Sequence, residues 1–207
     1  VLIMASGTAA HTEIEGDSAV LFHDRRFGEI ATDEHIYSFV FREQVRPGAV
    51  VLRDYNRHKP LMMPEGNTVG DKDQALEIYD YPGLFQEPDP GTALSKVRLE
   101  EHRASVKTGF GQTTTPRLCP GFTFALKEHP RDSFNDKYLL TTVRLKGEQP
   151  QVLEQYTPEG GTQYSATFEC IPASVSYRPP RVTPRPVVEG AQTAVVVGPP
   201  GEEIYPD

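Results

Sequence analysis

The residues that could do acid–base or metal chemistry are scattered along the chain and form no recognised motif. The six histidines are His11, His23, His35, His58, His102 and His129. None of them has the His-Glu-x-x-His, His-x-His or Cys/His spacing of a zinc site. The densest cluster is Glu100-Glu101-His102, and adjacent residues on a helix point in different directions. We therefore expect a solvated helix face there, and the same interpretation applies to Glu128-His129 at a turn.

Candidate nucleophiles and phosphate-binding loops also lack the sequence context that such sites need. Three serines, Ser6, Ser95 and Ser105, lie outside any Gly-x-Ser-x-Gly nucleophile elbow. The pair in Gly109-Phe-Gly111 lacks both the third glycine of a dinucleotide loop and the Lys-Ser/Thr of a P-loop. The sequence therefore predicts no catalytic, cofactor-binding or metal-binding residues, and no cofactor.

Four further residues are interpreted as structural. Asp54 and Asp80 end predicted strands, where catalytic carboxylates are often found, but solvent-exposed polar residues are the simpler explanation. Cys119 and Cys170 are too few for a disulfide framework. We expect two half-buried strand thiols, and the spacing alone leaves a disulfide between them open.

The composition limits the class of protein. The chain has 207 residues and a formal net charge of −8. One or two domains are expected, and the acidic balance argues against binding to nucleic acid or an anionic membrane, which needs basic patches. No apolar run reaches membrane-spanning length and no signal peptide is visible. The 19 prolines and 17 glycines favour short strands with many turns over long helices.

The clearest strand signal lies in residues 36–45. Tyr37, Phe39 and Phe41 recur with the period of two that a strand requires. Arg46-Pro-Gly48 predicts a turn, and residues 49–55 predict a strand that returns from it. We therefore expect residues 36–55 to form a β-hairpin.

The remaining segments predict a mainly β protein with a single helix. Further strands are predicted at residues 75–81, 121–126, 138–145 and 163–171, the last of them ended by Pro172. Residues 56–74 are polar and turn-rich. Six or more antiparallel strands with one helix imply a barrel or a sandwich.

The predicted helix covers residues 91–108 and is expected to lie on a sheet. Thr92 can cap its start and Gly109 suits its end. Its main apolar arc consists of Ala93, Leu94, Val97 and Ala104. Its end is less well defined, because a strand pattern can already begin at Val106.

The two ends of the chain are expected to continue into other folded parts. Residues 1–5 and 19–22 are short apolar segments, interpreted as the closing part of a preceding domain. Residues 178–186 are predicted to be a proline-stiffened segment that joins two folded parts. One strand is predicted at residues 193–197, before a turn at 198–201. Because a lone strand leaves both backbone edges unpaired, we expect it to pair with chain beyond this sequence or with another copy.

An ordered series of motifs resembles VgrG, the family of spike and hub proteins of bacterial type VI secretion. Two of the motifs are Val45-Arg-Pro-Gly-Ala-Val-Val-Leu-Arg-Asp-Tyr55 and Leu118-Cys-Pro-Gly-Phe-Thr-Phe124. The others are residues 79–83, 97–103, 129–131, 138–141, 168–173, 177–184, 192–198 and 201–205. They follow the order of the family and cover nearly the whole chain beyond residue 33.

The resemblance implies an antiparallel β-barrel, like those of phage tail tubes and hubs, with one helix. Residues 1–32 would end the middle hub domain, and residues 33–178 would form the second tube-like barrel. Residues 179–207 would be a proline-rich linker and the first strand leading to an OB-fold gauge domain.

The resemblance also implies a non-enzymatic homotrimer that adapts a hexameric tail-tube protein, Hcp, to a three-fold needle. A spike-tip protein and effectors would attach through parts outside this sequence, without nucleic acid or a membrane anchor. The protein would assemble in the bacterial cytoplasm and then be secreted or delivered into a target cell.

Two other functions are compatible with some of these sequence features. A hub of a contractile phage or phage-like particle would share the architecture, and the flanking sequence would distinguish it. A hub that carries a cell-wall hydrolase would need a paired-carboxylate or Cys/His site, which these residues do not show.

Overall fold

The fold is described from a computed structural model that covers residues 7–24, 34–148, 163–184, 186–194 and 198–199. Its strands are β1 (Ala19–Phe22), β2 (His35–Glu43), β3 (Ala49–Arg53), β4 (Glu65–Val69), β5 (Glu77–Asp80), β6 (Lys107–Thr113), β7 (Thr123–Lys127), β8 (Lys137–Glu148) and β9 (Gln163–Pro172). The α-helix of the described residues, α1, is Pro88–Arg103. None of the described helices is long and apolar enough to cross a membrane.

Six strands close into a barrel in the order β1-β2-β6-β9-β8-β7. The predicted mainly β barrel is therefore confirmed, with one correction to its strand directions. β1 pairs in parallel with both neighbours, so that Leu21 lies opposite His35 and Ala19 lies opposite Ala125, while the other barrel pairs are antiparallel. This short parallel strand occupies the gap between β2 and β7 and covers edges that would otherwise be unpaired.

The position of β1 also bears on the predicted domain boundary. Ala19–Phe22 belongs to the barrel, whereas residues 1–32 were predicted to end a preceding domain. Four residues are too short a segment to reveal from sequence which sheet they join. The apolar segment at residues 1–5 lies outside the described residues.

The barrel is filled with aromatic side chains, and two glycines leave room for them. Phe39, Phe124, Tyr138 and Phe168 are all buried in one cluster. A Cβ atom on Gly111 would overlap the ring of Phe168. The Gly109-Phe-Gly111 pair is thus explained by packing on β6, where residues 109 and 111 face inward.

The predicted hairpin of residues 36–55 is wrong. β2 pairs with β6 instead, with Phe39 opposite Gly111, because the two inward glycines of β6 make room beside the aromatics of β2. β3 is the middle strand of a separate sheet, in the order β4-β3-β5. We call residues 44–106, which carry this sheet and α1 between β2 and β6, the insertion module.

β4 was not predicted, because its five residues show no apolar alternation. Its inward positions are small or polar: Gly66 is buried, and a Cβ atom there would overlap the backbone of Gly91 on α1. The Oγ atoms of Thr68 and Ser95 lie 2.7 Å apart in a hydrogen bond between β4 and the helix. β4 is thus held against the helix by a close contact between small residues. Such a contact leaves no alternation of apolar residues in the sequence.

Helix α1 lies on the small sheet, as one helix on a sheet was predicted, but its buried face is a different one. The buried residues are Gly91, Ser95 and Leu99, spaced four apart along one line of the helix. Leu94 and Val97 of the predicted apolar arc are exposed. The helix begins earlier than predicted, at Pro88, and ends at Arg103, so the strand pattern near Val106 marks β6.

Candidate functional site

The most ordered polar arrangement joins the segment after the barrel to the insertion module. We call residues 177–184 the connector. Arg178 Nε donates to Glu100 Oε2 at 2.7 Å, and the Arg181 backbone N–H donates to Glu101 Oε1 at 3.0 Å. Arg181 Nη2 also donates to Asp80 Oδ2 at 3.3 Å. The connector is thus held against the end of α1 and the end of β5 at once.

Glu101 is the most buried carboxylate of this arrangement, with its side chain 11% exposed. Arg98 Nη1 donates to Glu101 Oε2 at 2.7 Å, and Arg181 Nε lies 3.9 Å from the same oxygen. Burial alone would raise the pKa of Glu101, but the hydrogen bonds from Arg98 and Arg181 and their positive charges outweigh it. The pKa of Glu101 is therefore held below its ordinary value.

We call Asp80, Glu100 and Glu101, with Arg178 and Arg181, the connector clamp. Helix α1 places Glu100 and Glu101 one turn from its end, and β5 ends at Asp80 beside them. The connector leaves β9, which is a barrel strand. The clamp therefore ties the exit of the barrel to the insertion module, in addition to the covalent links at residues 44 and 106.

The clamp corrects the interpretation of the Glu100-Glu101-His102 cluster and of Asp80. The two glutamates were expected on a solvated helix face, yet both are partly covered and bonded to connector arginines. Asp80 was expected to be an exposed polar residue, and it is partly covered and faces Arg181. Their carboxylates are engaged in ion pairs and do not converge on an empty reaction space.

Asp54 also has a defined structural role in place of the predicted exposed one. Its Oδ2 accepts from the backbone N–H groups of Leu84, at 2.5 Å, and Phe85, at 3.2 Å, and its Oδ1 accepts from Tyr55 N–H at 2.7 Å. The hydrogen bond from Tyr55, joined by those from Leu84 and Phe85, holds the pKa of Asp54 below its ordinary value. The carboxylate thereby fastens the loop after β3 to the loop after β5.

The histidines lie in several separate places and form no single site. The rings of His23 and His35 are 5.7 Å apart near the start of β2. His129 packs 4.4 Å from the ring of Phe22 and 5.0 Å from Phe134, and burial lowers its pKa. Among the described residues, no group of three or more His, Cys, Asp and Glu side chains is arranged to hold a metal ion.

One serine and one cysteine, Ser95 and Cys170, are placed for packing. Ser95 is fully buried in the contact between α1 and β4, and Ser6 lies outside the described residues. Cys170 is buried in β9 and Cys119 is exposed, and both are free, so neither is the half-buried strand thiol that was expected. Burial raises the pKa of the Cys170 thiol.

Sequence reasoning missed the clamp arginines, because their partners are far away in the chain. Arg178 lies 78 residues from Glu100, and Arg181 lies 101 residues from Asp80. The available signal was the pair of arginines that interrupts the prolines of the connector. The predicted strand at residues 193–197 falls largely outside the described residues, and the described positions of residues 186–194 contain no strand.

The closed barrel with its helix-covered insertion matches a family of phage tail proteins. The family model of the phage tail baseplate hub (GPD) matches residues 1–151. The chain therefore belongs to the phage tail baseplate hub family. The 43 kDa tail protein of prophage MuSo2 from Shewanella oneidensis has a similar fold. Its TM-score is 0.51 at 6% identity, over 81% of this chain and 46% of that chain.

Curated relatives confirm the resemblance to type VI spike proteins that the motifs predicted. The type VI secretion system spike protein VgrG4b of Pseudomonas aeruginosa is 38% identical over 96% of this chain and 27% of its own length. The actin cross-linking toxin VgrG1 of Vibrio cholerae is 33% identical over 84% of this chain and 16% of its own length. The chain thus spans about a quarter or less of the curated relatives it matches.

Proposed function

We propose that this chain is part of the hub of a type VI secretion puncturing device, in which three copies adapt a hexameric tail tube to a three-fold needle. The observation that carries the proposal is the 38% identity to a spike protein over almost the whole chain. The barrel supplies the tube-like surface, and the connector leads towards the needle. Symmetry supports this arrangement, because a six-fold tube seats evenly on a three-fold spike only through an adaptor.

The proposed partners are two further copies of the chain, the tail-tube protein Hcp, a spike-tip protein and effectors. The last two would attach through parts of the protein outside this sequence. The protein would assemble in the bacterial cytoplasm and then be secreted or enter a target cell. A hub in a contractile phage or phage-like particle is the second candidate, and the prophage tail protein of similar fold favours it.

We also propose that the residues of this chain act structurally and do not catalyse a reaction. The carboxylates of Glu100 and Glu101 support this, since ion pairs with the connector occupy them. The name of one relative includes a toxin activity, but the chain covers only 16% of that protein. Cell-wall or actin-modifying activity of this chain, lost on Glu101→Gln, would contradict the proposal.

The clamp gives the connector a mechanical role in this function. Prolines at positions 179, 180 and 184 remove backbone donors and stiffen the segment, and the clamp fixes where it leaves the barrel. Thrust on the needle would pass through the connector into α1 and the small sheet.

Secretion of the tube protein tests the proposed function. A strain without its own copy of the gene is complemented with the natural protein or with variants, and Hcp in the medium is measured. Three glycines inserted after residue 184 should lower secretion while the barrel stays folded, because the connector then transmits less thrust. A matched insertion in the exposed turn at residues 71–73 is the control. Full secretion with the connector insertion would count against the mechanical role.

A further inference from the structure

The insertion module and the barrel are two bodies with separate hydrophobic cores. The module core consists of Val50, Leu52, Phe85 and Leu99, with Ile78 packed against it. The barrel core is a different cluster, built around the aromatic side chains of β2, β7, β8 and β9. Among the described strands and α1, every extensive contact falls within one body or the other. This packing holds each body together, but it does little to fix the angle between them.

The chain crosses between the two bodies at two neighbouring places. Gln44 follows the end of β2, and its backbone N–H donates to Val106 O at 3.0 Å. Its Nε2 donates to Ser105 O, also at 3.0 Å. The entry to the module and the exit from it are therefore hydrogen-bonded to each other, and we call these three residues the neck. A few residues at the ends of elements are a common place for a hinge.

The connector clamp is a third link between the two bodies, and it lies away from the neck. Asp80 is paired with Leu52 towards the far end of β3, and it meets Arg181 of the connector. The connector itself continues from β9 of the barrel. A body that is attached only along one neck can swing, whereas an additional link at a second place fixes its angle.

The chemistry of the clamp makes this third link the easiest one to open. It consists of ion pairs and hydrogen bonds on the surface, and the side chains of Arg181 and Asp80 are 52% and 38% exposed. Salt weakens ion pairs that are exposed to this extent. The neck is covalent, so it stays closed when the clamp opens.

We propose that the insertion module is a hinged body that turns about the neck, and that the connector clamp is the latch that sets its angle. With the clamp closed, the barrel, the module and the connector form one rigid unit. With the clamp open, the module takes up a range of angles, and the connector is no longer held against it. The hinge is a property of this chain alone, so its test is independent of the test of the hub function.

Distances between spin labels on the two bodies, measured by double electron–electron resonance, test the hinge. Cys119 is exposed in the barrel and takes one label, while Cys170 is buried. Lys96→Cys, at an exposed position of α1, takes the other label. The labelled chain is mixed with an excess of unlabelled chain, so that distances between copies do not contribute. Labels at Cys119 and at Lys146→Cys, which is exposed on β8, give a control distance within the barrel.

The clamp is removed by the double variant Arg178→Ala with Arg181→Ala. The unchanged chain should give one narrow distance distribution between the two bodies, and the double variant should widen it about twofold or more. The distance within the barrel should stay narrow in both chains. Lys59→Ala is the matched control, because it removes the ion pair between Lys59 and Glu87 inside the module and leaves the clamp intact. It should behave like the unchanged chain.

Salt provides a second measurement that needs no substitution at the clamp. At about 1 M salt, exposed ion pairs are screened, so the distribution between the bodies should widen in the unchanged chain. If the double variant loses its narrow barrel distance, it has not folded, and the salt measurement decides. A distribution that stays narrow both in salt and without the clamp arginines overturns the proposal. A distribution that is already wide in the unchanged chain overturns it as well, because the clamp then sets no angle.

Discussion

The connector clamp should contribute measurably to stability, and its central pair can be tested by exchanging charges. The side chains of Arg178 and Glu100 are only 26% and 24% exposed, and their hydrogen bond is 2.7 Å long. Exposed ion pairs contribute about 0–1 kcal/mol, and hydrogen bonds to charged groups contribute about 1.5–3 kcal/mol. For this partly covered pair we expect about 1.5 kcal/mol, the lower end of the second range, because some solvent screening remains.

Arg178→Ala should therefore lower the free energy of unfolding by about 1.5 kcal/mol. In a chain of this size, that corresponds to a fall in melting temperature of about 3–6 °C. Arg178→Glu should cost more, because it places two carboxylates side by side. The exchanged pair Arg178→Glu with Glu100→Arg should recover at least half of that loss.

Urea and thermal unfolding of Arg178→Glu, of Glu100→Arg and of the double variant give the coupling energy between the two side chains. Hydrogen exchange at the Arg181 amide adds a local measurement, because that N–H donates to Glu101. It should exchange faster in both single variants. Lys59→Ala is the control: Lys59 and Glu87 are both more than half exposed, so the change should be small. Strictly additive losses, with no recovery in the exchanged pair, would refute the clamp.

Three further outcomes follow from the packing and the charges. Gly111→Ala should destabilise the barrel by about 3 kcal/mol or more, because its methyl group would overlap Phe168 inside a filled core; urea unfolding measures this. At neutral pH, iodoacetamide should alkylate Cys119 and leave Cys170 unmodified, because Cys170 is buried and its pKa is raised; mass spectrometry counts the adducts. The pKa of Glu101 is lowered in the folded chain. The stability that ionised Glu101 contributes should therefore be complete above the unfolded pKa of about 4.5 and should be lost as the pH falls through the folded pKa. Melting temperatures from pH 7 to pH 3 measure this loss.

Each of these outcomes has its own comparison. Gly7→Ala should be almost neutral, because nothing lies within 4 Å of the added Cβ atom; equal costs at positions 7 and 111 would contradict the packing argument. Denatured protein should take up two alkyl groups, and rapid double labelling of the folded chain would show that Cys170 is accessible. The difference in melting temperature between the unchanged chain and Glu101→Gln should shrink towards pH 3, and a constant difference would exclude the proposed ion pairs as its source.

The barrel was predictable where its side chains alternate in type. Phe39 and Phe41 gave β2 its period of two, and the structure places both on the inner side of the barrel. The strand around Phe168 was predictable for a similar reason. In both strands the apolar residues recur at every second position, and those are the positions that face the core of the barrel.

The insertion module was less predictable, because small residues make its contacts. Gly66 and Gly91 meet where β4 crosses the helix, and no hydrophobic pattern marks such a contact. The predicted hairpin failed because the turn after β2 leads into a different sheet. The residues of a turn predict that the chain reverses direction there, but they do not predict which strand will pair with β2.

The clamp could not be derived from the sequence, because it depends on the connector packing against helix α1 in the folded chain. Glu100 and Glu101 were noticed, but their partners Arg178 and Arg181 come from the segment that follows the last barrel strand. The family resemblance did not supply this information either, because the motifs describe order along the chain.

We propose above that this chain works as part of a three-fold hub. Electron cryomicroscopy of the natural protein that contains it, alone and mixed with the tail-tube protein, would show whether it does. We expect particles with three-fold symmetry in which six related barrels form a ring, and this ring should seat the hexameric tube. Monomers or two-fold dimers that leave the tube unbound would contradict the claim.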